Sequence, residues 1–163
     1  MFHEIREKRI LSMLVAAVVA LLTLGGTATL ADEKPAEVWD ALNKRVAVDI
    51  GTLEKDWGLK VVALRRSAGG YMLDFRYRVV DREKAMDIVE GRMKPFIVDD
   101  ARKLLLQIPT AEKVGALRQT HVSPRPEFIY FMMFGNPGKA IQAGDRVTLV
   151  IGDIRIDDIV VEG

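Results

Sequence analysis

Tyr71-Met72-Leu73-Asp74-Phe75-Arg76-Tyr77-Arg78-Val79-Val80 is the stretch whose reading decides the fold. Tyr71, Leu73, Phe75, Tyr77 and Val79 alternate with mainly polar neighbours, which is the period of a strand with one buried face. The alternation puts this largely aromatic set on a core face and Asp74, Arg76 and Arg78 on the other. Upstream, Leu59-Lys60-Val61-Val62-Ala63-Leu64-Arg65-Arg66 reads as a partner strand. Ser67-Ala68-Gly69-Gly70 supplies a tight turn between them, so the two strands form a hairpin.

Further along, Asp81 to Gly91 reads as a short helical connection or a loop. Phe96-Ile97-Val98 and Lys103 to Ile108 read as short strands, the second stopped by Pro109. Glu127 to Phe134 is apolar on both faces, which predicts a central strand with neighbours on either side, ended by Gly135-Asn136-Pro137-Gly138. Arg146 to Ile151, a turn at Gly152-Asp153 and Ile154 to Val161 complete the set. About seven short strands without βα alternation predict an all-β domain of two packed antiparallel sheets.

The order of these features resembles bacterial exported immunoglobulin-like domains. The resemblance is carried by Tyr71-Met72-Leu73-Asp74-Phe75, the strand from Phe96 to Asp100, and Ala143-Gly144-Asp145-Arg146-Val147 leading into a late strand. It covers residues 59–161 and implies an immunoglobulin-like antiparallel β-sandwich, without the paired cysteines of antibody-type domains and without catalytic residues to carry over.

Ahead of this domain, Arg6, Lys8 and Arg9 precede Ile10 to Ala31, 22 residues without a charge. As a helix this run would measure about 33 Å, enough to span a hydrocarbon core of about 30 Å. Gly26-Thr27-Ala28 or Thr29-Leu30-Ala31 offers small residues of the kind a signal peptidase cuts after. The length of the uncharged run favours retention as a signal anchor. Either way the positive lead stays inside, so the rest of the chain is expected on the periplasmic (extracytoplasmic) side of the cytoplasmic membrane, single-pass. Beyond Asp32-Glu33-Lys34-Pro35, Val38, Trp39, Leu42 and Val46 fall at helical spacing and predict a short juxtamembrane helix. Its apolar stripe could cover its own domain or meet lipid headgroups or a neighbouring subunit, which makes Trp39 a candidate partner residue. The expected organisation is therefore 1–31 anchor, 32–57 stem and 58–163 β-sandwich.

Residues 1–31 hold three of the 24 basic and two of the 23 acidic residues, so the exported part is electrically balanced. A nucleic-acid binder needs a net basic footprint, and none is present. The absence of cysteine excludes disulfides, thiolate metal sites, a lipid-attached cysteine and covalent c-type haem. With His3 and His121 the only histidines, no multi-histidine metal centre can form in the exported part of one chain.

The candidate chemistry is correspondingly thin. Ser67 and Ser123 are the only exported serines, with no Gly-x-Ser-x-Gly elbow. Ser123 stands near His121 but in a proline-bounded loop. Asp99-Asp100, Asp153 and Asp157-Asp158 match no calcium-loop spacing and read as turn and solubility residues. Met72, Met86, Met93, Met132 and Met133 raise copper(I) ligation, yet adjacent Met132 and Met133 point to opposite faces of a strand. Arg65, Arg66, Arg76 and Arg78 read as a basic patch on the outer face of the hairpin. These features lead to the expectation of a non-catalytic accessory or scaffolding subunit without cofactor, binding a membrane-embedded complex or another envelope protein and held to the bilayer by residues 10–31. The alternative is a periplasmic copper-handling protein using methionines with His121.

Overall fold

The computed structural model describes residues 35–113, 115–120 and 123–163. The apolar run at 10–31 and His121 lie outside the described residues. Among the described residues no helix is long and apolar enough to cross a membrane. The chain divides into two compact units, Met1–Lys44 and Arg45–Gly163.

In the first unit, helix α1 spans Pro35–Asn43. Proline suits its first position because that residue's missing N–H has no intrahelical partner to lose. Leu42 is buried and Trp39 half-buried. Val46, grouped with this stripe by its spacing, lies outside the helix. It belongs to strand β1 (Val46–Ala47) of the second unit and is 63% exposed. Spacing alone cannot show that the helix has stopped at Asn43.

The second unit is mostly β, in several sheets. After β1 comes helix α2 (Ile50–Trp57), within the stretch read from sequence as stem. Asp49 caps its first turn by accepting from the Thr52 N–H at 2.8 Å, and Gly58 ends it in the left-handed conformation (φ 66°). Strands β2 (Leu59–Ser67) and β3 (Met72–Val79) form the expected hairpin. Helix α3 (Arg82–Val89) follows, capped by Asp81. Then come β4 (Pro95–Asp99), β5 (Leu104–Gln107), the small hairpin β6 (Thr110–Ala111) and β7 (Gly115–Ala116), β8 (Tyr130–Gly135), β9 (Arg146–Ile151) and β10 (Ile154–Val160).

One sheet has the order β1-β10-β9-β4-β5 and another β2-β3-β8. Between the named strands all pairings are antiparallel except β1 with β10, and an isolated parallel bridge joins Arg65 to Glu162. Both sheets and the two helices bury side chains in one core, which joins Leu64, Leu73, Phe75 and Tyr77 to Ile97, Leu149 and Ile156, and to Leu53 of α2 and Ile88 of α3. Burial of a side chain of this size contributes about 1.5–3 kcal/mol.

Three sequence expectations are corrected. Tyr71 is 58% exposed: it sits in the turn (φ −80°, ψ −7°), before β3 begins, and so escapes the alternation that buries Leu73, Phe75, Tyr77 and Val79. The strand expected from Glu127 starts at Tyr130, leaving Phe128 and Ile129 exposed. It also ends its sheet, with β3 as the central strand. Its far side is not bare, however. Met133 N–H donates to Leu117 O at 2.9 Å and Gln119 N–H to Phe131 O at 3.0 Å, so an irregular segment occupies the place of a neighbour. That cover, and Arg76 lying across Phe131, account for apolar residues on both faces of β8.

Candidate functional site

The outer face of β2-β3-β8 is built by strand register. Lys60 pairs with Arg78, Ala63 with Arg76 and Arg65 with Asp74, while Phe131 lies opposite Arg76 and Met133 opposite Asp74. Because successive side chains alternate, Asp74, Arg76 and Arg78 share the solvent face while Phe75, Tyr77 and Val79 enter the core. A bulge between Val61 and Ala63 inserts Val62 as an extra residue and turns it outward, 37% exposed.

The charges on this face differ in how far they are satisfied. Both oxygens of Asp74 accept from Arg76 Nε at 2.8 Å, and the Arg76 guanidinium lies 5.6 Å from the Phe131 ring centroid. Lys60 meets Glu54 and Arg65 meets Glu162, each only at 3.6 Å with both partners exposed. Arg78 is exposed and has no ion pair among the described residues. The face therefore sets a paired Arg76 over an aromatic ring beside Arg78, which has no acidic partner among the described residues.

Of the residues singled out from sequence, the fold brings Arg65, Arg76 and Arg78 together. Arg66 stands in register with buried Leu73, on the other side of β2 from Arg65, where its guanidinium donates to Gln142 Oε1. Its Nε is buried without a hydrogen-bond partner among the described residues. Trp39 belongs to the other unit. The sequence reading missed Phe131, which was assigned to an undifferentiated apolar strand, and Phe128, whose ring lies 5.5 Å from the Arg125 guanidinium.

On the other sheet Arg146 meets Asp158 only at 3.8 Å with both exposed, but two further arginines are tightly paired. Arg102 bonds Asp99 and Asp145, and Arg155 bonds Asp100 and Asp157 at 3.0 and 2.8 Å. The Arg102 hydrogen bond, aided by the Gln142 N–H, holds the Asp145 carboxyl below the usual carboxylate range. Burial pushes the Asp157 carboxyl up, but Arg155 and the Thr148 hydroxyl outweigh it and the net shift is downward. Asp157 and Asp158 are the two residues of a bulge in β10, and Asp158 has φ 61°. The acidic pairs thus serve ion pairing and strand geometry. Among the described residues no group of three or more His, Asp or Glu side chains is placed to hold a metal ion.

Met132 is buried and Met133 lies on the opposite, outer face of β8. Ser123 is exposed. A shallow cleft of about 470 Å³ runs beside the β5 edge, lined by Leu105 to Thr110 with Gly135 and Pro137, and it contains no titratable side chain. No family model, no curated protein and no solved structure matches the chain.

Proposed function

We propose that this chain is a non-catalytic, membrane-anchored accessory or scaffolding subunit of the bacterial envelope. In this reading its extracytoplasmic domain docks on a membrane-embedded protein complex through the outer face of β2-β3-β8. The observation that carries the reading is the contrast between the two sheets. Arg102 and Arg155 on the β4-β9-β10 side are consumed in short mutual pairs, whereas the β2-β3-β8 face presents Arg78 without an acidic partner among the described residues beside Arg76 stacked on Phe131. Exposed cations next to aromatic surface are what a docking face offers to an acidic partner, and they set encounter rate and specificity more than raw affinity.

We further propose an immunoglobulin-like sandwich. Its support is the strand order. β2-β3-β8 follows the A-B-E order of such domains, with the segment at Leu117–Gln119 in the position of D, and β10-β9-β4-β5 follows G-F-C with a C′ strand added. An immunoglobulin-like scaffold does not name a partner. The membrane anchor rests on the uncharged run at 10–31 after Arg6, Lys8 and Arg9.

The test is recovery of a partner with the full chain extracted in mild detergent. Arg78→Glu should reduce recovery several-fold with an unchanged melting temperature, while Lys113→Glu on the exposed β6–β7 turn should not. Full recovery with Arg78→Glu removes the docking face. Absence of any stoichiometric companion from the unaltered chain removes the accessory-subunit reading.

A further inference from the structure

The loops at one end of the second unit form a continuous surface. The chain enters there, with Val46 N–H donating to Asp153 O at 3.0 Å. Next to Asp153, a Cβ on Gly152 would meet the Met93 sulfur at 2.7 Å, and Arg118 donates to the carbonyls of Met93 and Gly91. On the β2-β3 side, Val80 N–H donates to Gly58 O and Lys84 Nζ to Lys55 O, which ties α3 to α2. The loop leading into β8 ends here as well, since Tyr130 pairs with Tyr77 near the end of β3.

Exposed apolar side chains concentrate at this end. Of the eight large apolar residues exposed among the described residues, Val46, Ile50, Val80, Phe128 and Ile129 lie in these entry-end segments and Val62 on the adjoining outer face. Only Tyr71 and Val160 are at the far end. Such clustering marks an interaction site, whereas singly scattered apolar residues do not. Cations flank the cluster: Arg125 lies over the Phe128 ring, and Arg78 and Lys60 pair with one another in register, one residue beyond Tyr77, which pairs with Tyr130. The acids of these segments are Asp153, Asp49 and Asp81, with Glu54, already near Lys60, and exposed Glu127; Asp49 and Asp81 cap helices, and Asp81 also meets Lys84.

We propose that this end rests on the anionic headgroup surface of the membrane, with Phe128 and Ile129 inserted at the headgroup–acyl boundary and Arg125 among the lipid phosphates, which leaves Arg78 to the docking face. The inference rests on the tether of the proposed reading and not on its docking face. Residues 32–44 separate the apolar run from the point of entry, and nine of them are helix α1, so the connection reaches at most about 30 Å. A tether that short presents to the bilayer the end at which it attaches. Aromatic side chains with arginine and lysine are the residues that settle at a membrane interface, the basic ones drawn to anionic headgroups.

The absence of cysteine allows a single reporter to be placed cleanly. Full-length Phe128→Cys and Val160→Cys, each carrying an environment-sensitive dye, are reconstituted into vesicles of phosphatidylcholine alone or with phosphatidylglycerol. The dye at 128 should shift to the blue and be quenched by a spin-labelled lipid several-fold more than the dye at 160. The effect should require phosphatidylglycerol and weaken with Arg125→Glu. Equal, water-like emission from both positions on anionic vesicles overturns the proposal. So does a shift at 128 that is equally large on phosphatidylcholine alone, which would show that headgroup charge plays no part. Flotation with neutral vesicles tests the tether separately. A chain that fails to float there but still shifts at 128 on anionic vesicles loses its anchor and keeps this surface.

Discussion

Asp74 and Arg76, two positions apart on β3, hold one another through both carboxylate oxygens at 2.8 Å on the solvent side of the sheet. A pair this exposed contributes at most about 1 kcal/mol to folding. Its larger effect is on the surface: it neutralises Arg76 and lays the guanidinium across Phe131, leaving Arg78 as the neighbouring cation still able to meet an outside charge.

Truncating Phe75, which is 1% exposed and stacked on Tyr77 at 5.9 Å, is expected to cost about 3–5 kcal/mol. Arg78→Ala on the opposite face should change stability by less than about 0.5 kcal/mol. Denaturant titration of both variants checks the alternation. An Arg78 variant that unfolds the domain would show that the two faces are exchanged.

Asn136 is fully buried and satisfies three backbone groups. Its amide donates to Gly70 O and Ile141 O at 2.9 Å, and its carbonyl accepts from Ile141 N–H at 3.0 Å. Asn136→Ala orphans those groups and should destabilise by roughly 2–4 kcal/mol. A thermal melt within a degree of the parent would contradict the role given to this side chain.

Tyr77 shows the opposite situation. Its hydroxyl is buried with no hydrogen-bond partner among the described residues, and burial pushes its pKa well above the ordinary tyrosine range. Tyr77→Phe should therefore leave stability unchanged or raise it by about 1 kcal/mol. A clear loss of stability in the same titration would reveal a partner for the hydroxyl.

Gly58 and Gly69 have nearly the same φ, 66° and 64°, in different surroundings. A Cβ at Gly58 would stand 2.3 Å from Asp81 O, whereas at Gly69 nothing lies within 4 Å. Gly69→Ala should cost only the left-handed strain, about 1–2 kcal/mol, and Gly58→Ala distinctly more. Equal melting temperatures for the two variants would contradict the close approach of α2's end to Asp81.

Asp145 supplies a pH dependence. Its folded pKa is depressed, so its contribution is fully present above the unfolded value of about 3.9 and is lost as pH falls through the folded value. Asp145→Asn should melt below the parent at neutral pH and converge with it in acid. A gap that persists unchanged into acid would show that the carboxylate's charge is not what Arg102 uses.

What could be read from the sequence was what is local. β3, β9 and β10 announce themselves by period-two alternation or apolar runs between glycine-bearing turns, and they were located to within a residue or two. The helix at Ile50–Trp57 was missed although Asp49 and Gly58 are good caps, because eight residues with Ile50, Leu53 and Trp57 on one side make a weak period. β1 and the segment at Leu117–Gln119 owe their pairing wholly to distant chain, and two or three residues carry no period at all. The proposed docking face was half legible. Alternation gives the outward direction of Arg76 and Arg78, but only register decides that Arg65 joins them while Arg66 turns to Gln142. Phe128 and Ile129 continue the apolar run of β8, and nothing local marks where pairing begins.

The parallel pairing of β1 with β10 also determines how the second unit carries load. A force drawn between Arg45 and the C-terminal end enters at Val46 and reaches the bonds Val46 N–H to Asp153 O and Val48 N–H to Arg155 O before any other part of the five-stranded sheet. Because the strands run the same way, those bonds are pulled lengthwise and must give way together rather than open one after another. The short strand acts as a mechanical clasp: while it holds, tension on the leading segment passes into β10 and leaves α2 unloaded, whereas at the other end Glu162, bonded to Leu64 O and the Arg66 N–H, passes load into β2.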